Sequence, residues 1–366
     1  MAKLGRKTIH ITIAFAIALA AICVGIILMF SGGSPGISKE SRDIFTNETA
    51  LKTYIKKYGF EQTINHLNEL SATLGDCHQA AHKAGRFAFQ IYGNKVFQAH
   101  VSPCHSGGYH GATEAYFAKN GTDKLSEKLK TICAAAENSF FSHQCLHGVG
   151  HGLMAWTNYE LPDALKDCDL LDTAVHQESC FTGVFMENIV GGLTSSSDCH
   201  KTKYLSDDPQ YPCSVVNDKY KSSCYFLQTS RMVQLFGGDF AKVAEQCLEA
   251  PEAYQYSCFG SMGRDIGVYK QPDKEIAACA NAPQGTNRVS CLNGAVQDAF
   301  WDPSGQDAAM QFCKLLTDKE EKDACYSTIF TRAPEVLSSS DKVKTFCAKA
   351  DKAYYQQCLS FINAGI

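Results

Sequence analysis

Paired cysteines place the strongest constraint on how this 366-residue chain can fold. From Cys133 onward the two members of each pair lie 11 or 12 residues apart, and from Cys224 the second members recur every 33 or 34 residues. The pairs are Cys133 with Cys145, Cys168 with Cys180, Cys213 with Cys224, Cys247 with Cys258, Cys279 with Cys291, Cys313 with Cys325, and Cys347 with Cys358. A period of this size is typical of stacked supersecondary units.

Helix-like stretches flank each cysteine pair. "AKVAEQC" ends at Cys247 with apolar residues at helical spacing, and "CFGSMGRDIGVY" begins at Cys258. Each unit is therefore predicted to be a hairpin of two short helices, with helix A ending near the first cysteine and helix B starting near the second. One disulfide per hairpin closes a loop of about a dozen residues, which stabilises the fold by roughly 3 kcal/mol on the chain-entropy model.

This architecture resembles the tetratricopeptide and Sel1-like repeat proteins, in particular the cysteine-rich Sel1-like proteins with a disulfide in each helical hairpin. The resemblance covers roughly Asp123 to the C-terminus and rests on the period and the cysteine pairing. It implies an α-helical superhelix and no particular activity. The predicted fold class is all-α: a single N-terminal transmembrane helix followed by an α/α helical-hairpin solenoid with one disulfide per repeat.

The N-terminus predicts a membrane anchor. Ile11 to Phe30 form a run of 20 residues without a charge, which as a helix spans about 30 Å, the thickness of the hydrocarbon core. Lys3, Arg6 and Lys7 precede the run, so the chain is predicted to be a single-pass membrane protein with its N-terminus in the cytoplasm and its bulk extracellular or periplasmic. A cleaved signal peptide is the alternative.

The predicted organisation follows from these features. The segments are a cytoplasmic tail (1–7), a transmembrane anchor (8–30), a flexible tether (31–48), histidine-rich helical repeats (49–160) and disulfide-stapled helical repeats (161–366). A formal net charge of −4 argues against nucleic acid as a partner. Abundant cysteine agrees with an oxidising compartment. The pairing of Cys77, Cys104 and Cys199 stays open: the first two could bond to each other, one of them could pair with Cys199, or they stay reduced.

Histidine is concentrated in the early repeats. Eight of the 12 histidines lie between His78 and His151, and none follows His200. Three successive B helices carry pairs four residues apart, and residues at that spacing share one face of a helix. Since neighbouring B helices of a solenoid stack side by side, these side chains are predicted to meet at a transition-metal site. The predicted ligands are His78, His82, His105, His110, Glu114, His147 and His151, with His143 and His176 supporting them.

Imidazole with a carboxylate suits zinc, iron or copper, and haem b between opposed histidines is the alternative cofactor. The sequence contains no catalytic signature such as a P-loop or His-Glu-x-x-His. Any chemistry is therefore predicted to be metal-dependent, either redox or hydrolytic. Glu187, Asp265 and Asp298 share the seventh position after their cysteines and are interpreted as repeat features. The alternative function is a non-enzymatic repeat scaffold that binds a protein or peptide partner on its surface.

Overall fold

Short helices alternate along the whole of the chain that the computed structural model describes. The described residues are 39–75, 77–99, 101, 103–133, 139–191, 202–267, 271–300, 305–337 and 339–364. No β-strand occurs among them. The α-helices are α1 (Lys39–Thr46), α2 (Glu48–Tyr58), α3 (Phe60–Leu74), α4 (His78–Tyr92), α5 (Gly107–Asn120), α6 (Leu125–Ile132), α7 (Ser139–Trp156), α8 (Leu161–Cys168), α9 (Ala174–Met186), α10 (Asp218–Leu235), α11 (Phe240–Glu249), α12 (Glu252–Gly267), α13 (Pro272–Cys279), α14 (Thr286–Ala299), α15 (Gly305–Leu315), α16 (Lys319–Val336), α17 (Ser340–Cys347) and α18 (Tyr355–Ala364).

Local sequence fixes where many of these helices begin. A side-chain oxygen at the residue before the helix accepts hydrogen bonds from backbone N–H groups of the first turn, which have no partner inside the helix. The residues that cap in this way are Asn47, Thr173, Asn217, Asp239, Asp318 and Ser339. Two short 3₁₀ and π-helical segments, Gly93–Gln98 and Glu187–Gly191, extend α4 and α9.

Disulfides join successive segments of the array: from Cys133 onward each bond links the two sides of one hairpin, whereas Cys77–Cys104 links the residues that precede α4 and α5. The bonded pairs are Cys77–Cys104, Cys133–Cys145, Cys168–Cys180, Cys213–Cys224, Cys247–Cys258, Cys279–Cys291, Cys313–Cys325 and Cys347–Cys358. Their Cα atoms lie 5.4 to 5.7 Å apart, the ordinary range for this bond. The Cys77–Cys104 bond resolves one of the alternatives that the sequence left open, and Cys199 lies outside the described residues. So many disulfides are typical of extracellular proteins.

The B helices pack against one another in chain order and line the interior. They are α4, α5, α7, α9, α10, α12, α14, α16 and α18. Their disulfide cysteines and aromatic side chains are buried, as Cys258, Phe259 and Tyr326 illustrate, each 0 % exposed. The guanidinium of Arg332 in α16 lies 4.6 Å above the ring of Phe140 in α7, so an early and a late repeat are in contact.

Two predictions for the N-terminal part of the chain are corrected here. The predicted anchor at residues 8–30 lies outside the described residues, and no helix within them is long and apolar enough to cross a membrane. The longest have 18 residues, and charged or histidine side chains interrupt each of them, whereas a crossing needs about 20 apolar residues. The fold class is therefore corrected to an all-α array, and the single-pass membrane location is not supported. Within the predicted flexible tether, Lys39–Thr46 is helical, because Ile44 packs into the core at 1 % exposure.

Candidate metal centre

Glycines bring the histidine-bearing helices unusually close together. A Cβ atom placed on Gly111 of α5 would lie 1.8 Å from the carbonyl oxygen of His82 in α4. One placed on Gly183 of α9 would lie 1.9 Å from the carbonyl oxygen of His147 in α7. Only a residue without a side chain permits this backbone contact. The imidazoles on these helices therefore meet over short distances.

A left-handed turn before α5 sets the position of its histidines. Cys104, His105 and Ser106 all have positive φ values, of 57°, 50° and 55°. A positive φ costs any residue other than glycine of order 1 kcal/mol or more, and this conformation persists where surrounding contacts stabilise it. Here the Cys77–Cys104 disulfide and a buried hydrogen bond from the Ser106 hydroxyl to Oε1 of Gln144 (2.9 Å) supply those contacts. The turn presents the Cys104 carbonyl to the site and leaves His105 exposed.

The first half of the site is a triad of His78, His82 and His110. Nε2 of His82 lies 3.1 Å from Nε2 of His78 and 3.1 Å from Nδ1 of His110. One candidate ligand nitrogen from each residue lies within 4.8 Å of the other two. Two nitrogens bound to a tetrahedral zinc ion at 2.0–2.1 Å are themselves roughly 3.3 Å apart. The observed separations are close to that value.

The second half is a triad of His110, His147 and His151. Nε2 of His151 lies 3.2 Å from Nε2 of His147, and the candidate ligand atoms of all three residues again lie within 4.8 Å of one another. The His110 ring stacks on the His151 ring with centroids 3.8 Å apart. His110 thus belongs to both triads. It is fully buried, and its Nε2 atom has no hydrogen-bond partner.

Outer hydrogen bonds fix the protonation of the first histidine pair. Nδ1 of His82 donates to Oε1 of Glu114 at 2.8 Å, and Nδ1 of His78 donates to the Cys104 carbonyl oxygen at 3.0 Å. Both partners can only accept, so each Nδ1 carries the ring proton. Arg86 holds the other carboxylate oxygen of Glu114 at 2.6 Å. In the neutral rings, the two Nε2 lone pairs therefore face each other.

The second pair is arranged in the same way. Nδ1 of His151 donates to Oε2 of Glu187 at 2.7 Å, where both side chains are almost completely buried. Nδ1 of His147 lies 3.0 Å from the Thr182 hydroxyl, which already donates its own hydrogen to the Ser179 carbonyl oxygen at 2.8 Å. The hydroxyl therefore accepts from His147. Again two Nε2 atoms face each other, an arrangement that a bound cation stabilises.

Burial keeps the site in the form that binds metals. Desolvation, followed by the neighbouring histidines, lowers the pKa of His78, His110 and His147 well below the usual value for histidine. These rings are neutral at physiological pH, as metal ligands must be. Burial alone would raise the pKa of Glu114, but its electrostatic interaction and hydrogen bond with His82, together with Arg86, outweigh burial, so this pKa is lowered. Glu114 therefore stays a carboxylate.

The remaining predicted residues lie around the two triads. Glu114 supports His82 and is outside both triads. The His105 ring lies 6.3 Å from the His78 ring, also outside the triads. The ring of His143 lies 5.9 Å from that of His147, and its Nδ1 donates to the Ser179 hydroxyl at 2.8 Å. Although His143 is accessible to solvent, desolvation and the nearby Arg332 lower its pKa to about 4.

His176 is placed elsewhere and pairs with Asp172 at 2.9 Å on a half-exposed surface. Sequence reasoning missed Glu187 as a partner of the cluster and interpreted it as a general repeat feature. The spacing of histidines and carboxylates in the sequence does indicate this role. Glu187 follows His151 by 36 residues and Glu114 follows His82 by 32, so each carboxylate lies about one repeat beyond the histidine that it supports.

The donor set fits a transition metal better than haem. Five imidazoles without sulfur suit zinc, copper or iron. A haem needs its two axial histidines on opposite faces of the macrocycle, whereas these nitrogens lie 3.1–3.2 Å apart in direct contact. Comparisons of the chain with family models, curated proteins and solved structures find no match. The resemblance to tetratricopeptide and Sel1-like repeats therefore stays a prediction, and the site is interpreted from its own geometry.

Proposed function

We propose that this chain is an extracellular metalloprotein whose function depends on transition-metal binding at the five-histidine cluster. The observation that carries the proposal is the convergence of Nε2 lone pairs. Hydrogen bonds to outer acceptors place the protons of His78, His82, His147 and His151 on Nδ1, and the Nε2 atoms then meet in pairs at 3.1 and 3.2 Å. A proton can bridge one such pair, whereas a metal ion satisfies every nitrogen of a triad at once.

Outer contacts of this kind are what metal-binding histidines require. A carboxylate or carbonyl that accepts from the second ring nitrogen fixes the tautomer and makes the first nitrogen a better ligand. Glu114 and Glu187 do this for one histidine of each pair, and both carboxylates also offset the charge of a bound cation. Three histidines leave a fourth coordination position for water, the arrangement of catalytic zinc sites. Metal-dependent hydrolysis or redox chemistry is therefore the form of activity that we propose for the site.

Metal content of the full-length oxidised protein tests this proposal. The chain is stripped with a chelator, loaded separately with zinc and copper, desalted, and analysed for metal per chain. We expect near-integral retention of at least one of the two metals. H151A should weaken binding by more than the roughly 10- to 100-fold loss that follows from disturbing a ligand's outer hydrogen bond.

H176A is the matched control, because it removes the same imidazole from a half-exposed position that pairs with Asp172. It should bind metal as the unmodified chain does. Thiol counting and far-ultraviolet circular dichroism establish that each variant keeps its disulfides and helices. Only trace amounts of both metals in the unmodified chain, or equal retention by H151A and H176A, would overturn the proposal.

A further inference from the structure

The two triads share one residue, and that residue differs from the other four in its hydrogen bonding. His78, His82, His147 and His151 each direct Nδ1 to a partner outside the cluster and Nε2 into it. His110 has no such outer partner. Its Nδ1 lies 3.1 Å from Nε2 of His82, and its Nε2 is buried without a hydrogen bond. Nδ1 of this ring therefore faces the first pair, and Nε2 is a buried nitrogen that no hydrogen bond satisfies.

The two nitrogens of an imidazole point in different directions and cannot bind the same ion. Nδ1 of His110 is directed to the first pair, His78 and His82, so Nε2 is the nitrogen left for the second pair, His147 and His151. Each pair also has its own carboxylate, Glu114 for the first and Glu187 for the second. The site therefore contains two halves, each with two histidines and one supporting carboxylate, and His110 belongs to both.

We propose that the cluster binds two transition-metal ions bridged by the imidazolate of His110. This rests on the metal-binding function proposed above and adds the number of ions and the role of His110. When the second ion binds, the ring N–H proton of His110 leaves to solvent, and the two nitrogen lone pairs of the imidazolate form the two metal–nitrogen bonds. With metal–nitrogen distances of 2.0–2.1 Å, the ions lie roughly 6 Å apart.

The charges of the neighbouring groups agree with two ions. The imidazolate and the carboxylates of Glu114 and Glu187 supply three negative charges next to the metals, and Arg86 adds one positive charge through its ion pair with Glu114. Two divalent ions then leave a small net charge that bound hydroxide reduces further. A single ion would leave one histidine pair with facing lone pairs and no cation between them.

Metal stoichiometry and copper electron paramagnetic resonance test the bridge together. The full-length chain should bind two ions of zinc or copper. The double variants H78A/H82A and H147A/H151A should each retain one ion, because each keeps one complete triad. H110A should lose high-affinity binding of both ions, because it leaves two separate histidine pairs. H176A again serves as the control for loss of an imidazole.

The magnetic readout requires no variant and so does not depend on whether one folds. Two copper(II) ions joined by one imidazolate couple, and the fully loaded chain should show far less mononuclear signal at low temperature than two independent spins would give. Each double variant should give the full signal of one spin. One tightly bound ion per chain, or two ions with uncoupled spectra, would overturn the bridge and leave metal binding intact. Absence of bound metal would overturn both proposals.

Discussion

Replacing Glu187 by glutamine isolates the contribution of one buried carboxylate to metal binding. The Glu187 carboxylate accepts from Nδ1 of His151 at 2.7 Å, with only 4 % of its side chain exposed. Glutamine has nearly the same shape and still accepts a hydrogen bond, so the substitution removes the charge and keeps the contact. Nε2 of His151, the predicted metal ligand, then becomes less basic.

The magnitude follows from hydrogen-bond strengths. A hydrogen bond to a charged group contributes about 1.5–3 kcal/mol and a neutral one about 0.5–1.5 kcal/mol. The difference of about 1–1.5 kcal/mol corresponds to a roughly tenfold loss of affinity for the ion held by His147 and His151. This lies at the lower end of the 10- to 100-fold range for groups that support metal ligands.

Competition with a chromophoric zinc chelator at constant pH measures this loss. E178Q is the matched control, because it removes the same charge from an exposed residue of helix α9, the helix that Glu187 follows. We expect E187Q to bind one ion about tenfold more weakly than E178Q does. Affinities that agree within twofold would refute the argument that Glu187 supports a metal ligand.

Three further predictions concern the stability of the fold. Because burial lowers the pKa of His110 and His147, the folded metal-free protein takes up fewer protons than the unfolded chain below pH ~6.5. Each of these rings should therefore lower the free energy of unfolding by up to about 1.4 kcal/mol for each pH unit of acidification. Thermal unfolding from pH 7.5 to 5 tests this slope, and a flat profile contradicts it. G183A should lower the free energy of unfolding by about 1–3 kcal/mol in urea, because the added Cβ would overlap the backbone carbonyl of His147. The same displacement of the helices should weaken metal binding. Removing the disulfide with C279S/C291S should cost about 3 kcal/mol and leave metal content unchanged.

The sequence predicts the hairpins well because the interaction that defines them is local. A cysteine pair 11 or 12 residues apart can close only a short turn between two helices, so spacing alone fixes the unit. Histidines four residues apart on one helix face are equally local. Both patterns can be recognised without knowing how the repeats stack. The structure contains the corresponding hairpins and histidine pairs.

The roles of the individual site residues could not be predicted, because they depend on the phase of each helix, that is, on its rotation about its own axis relative to the next helix. The left-handed turn at Cys104 to Ser106 changes the phase of α5, and it leaves His105 exposed while His110 is buried. Glu114 was predicted as a ligand, yet at this phase it accepts from His82 and pairs with Arg86. A shift of one residue on a helix rotates a side chain by about 100°, so spacing alone does not separate these outcomes.

Two units of the array share a contact between neighbouring B helices, and one of the two lies in the candidate metal centre. Glu187, seven residues after Cys180, reaches back to His151 on the preceding B helix. Asp265, seven residues after Cys258, reaches back in the same way to the hydroxyls of Thr229 and Ser230, at 2.6 and 2.8 Å.

In these two units, an acceptor seven residues after the cysteine faces the residue six positions after the cysteine of the preceding B helix. Where that residue is a hydroxyl, as Ser230 is, the contact ties neighbouring helices together. Where it is histidine, as at His151, the same acceptor fixes the proton on Nδ1 and directs Nε2 inward. At His151, a contact that ties neighbouring helices together elsewhere in the array therefore orients a candidate metal ligand.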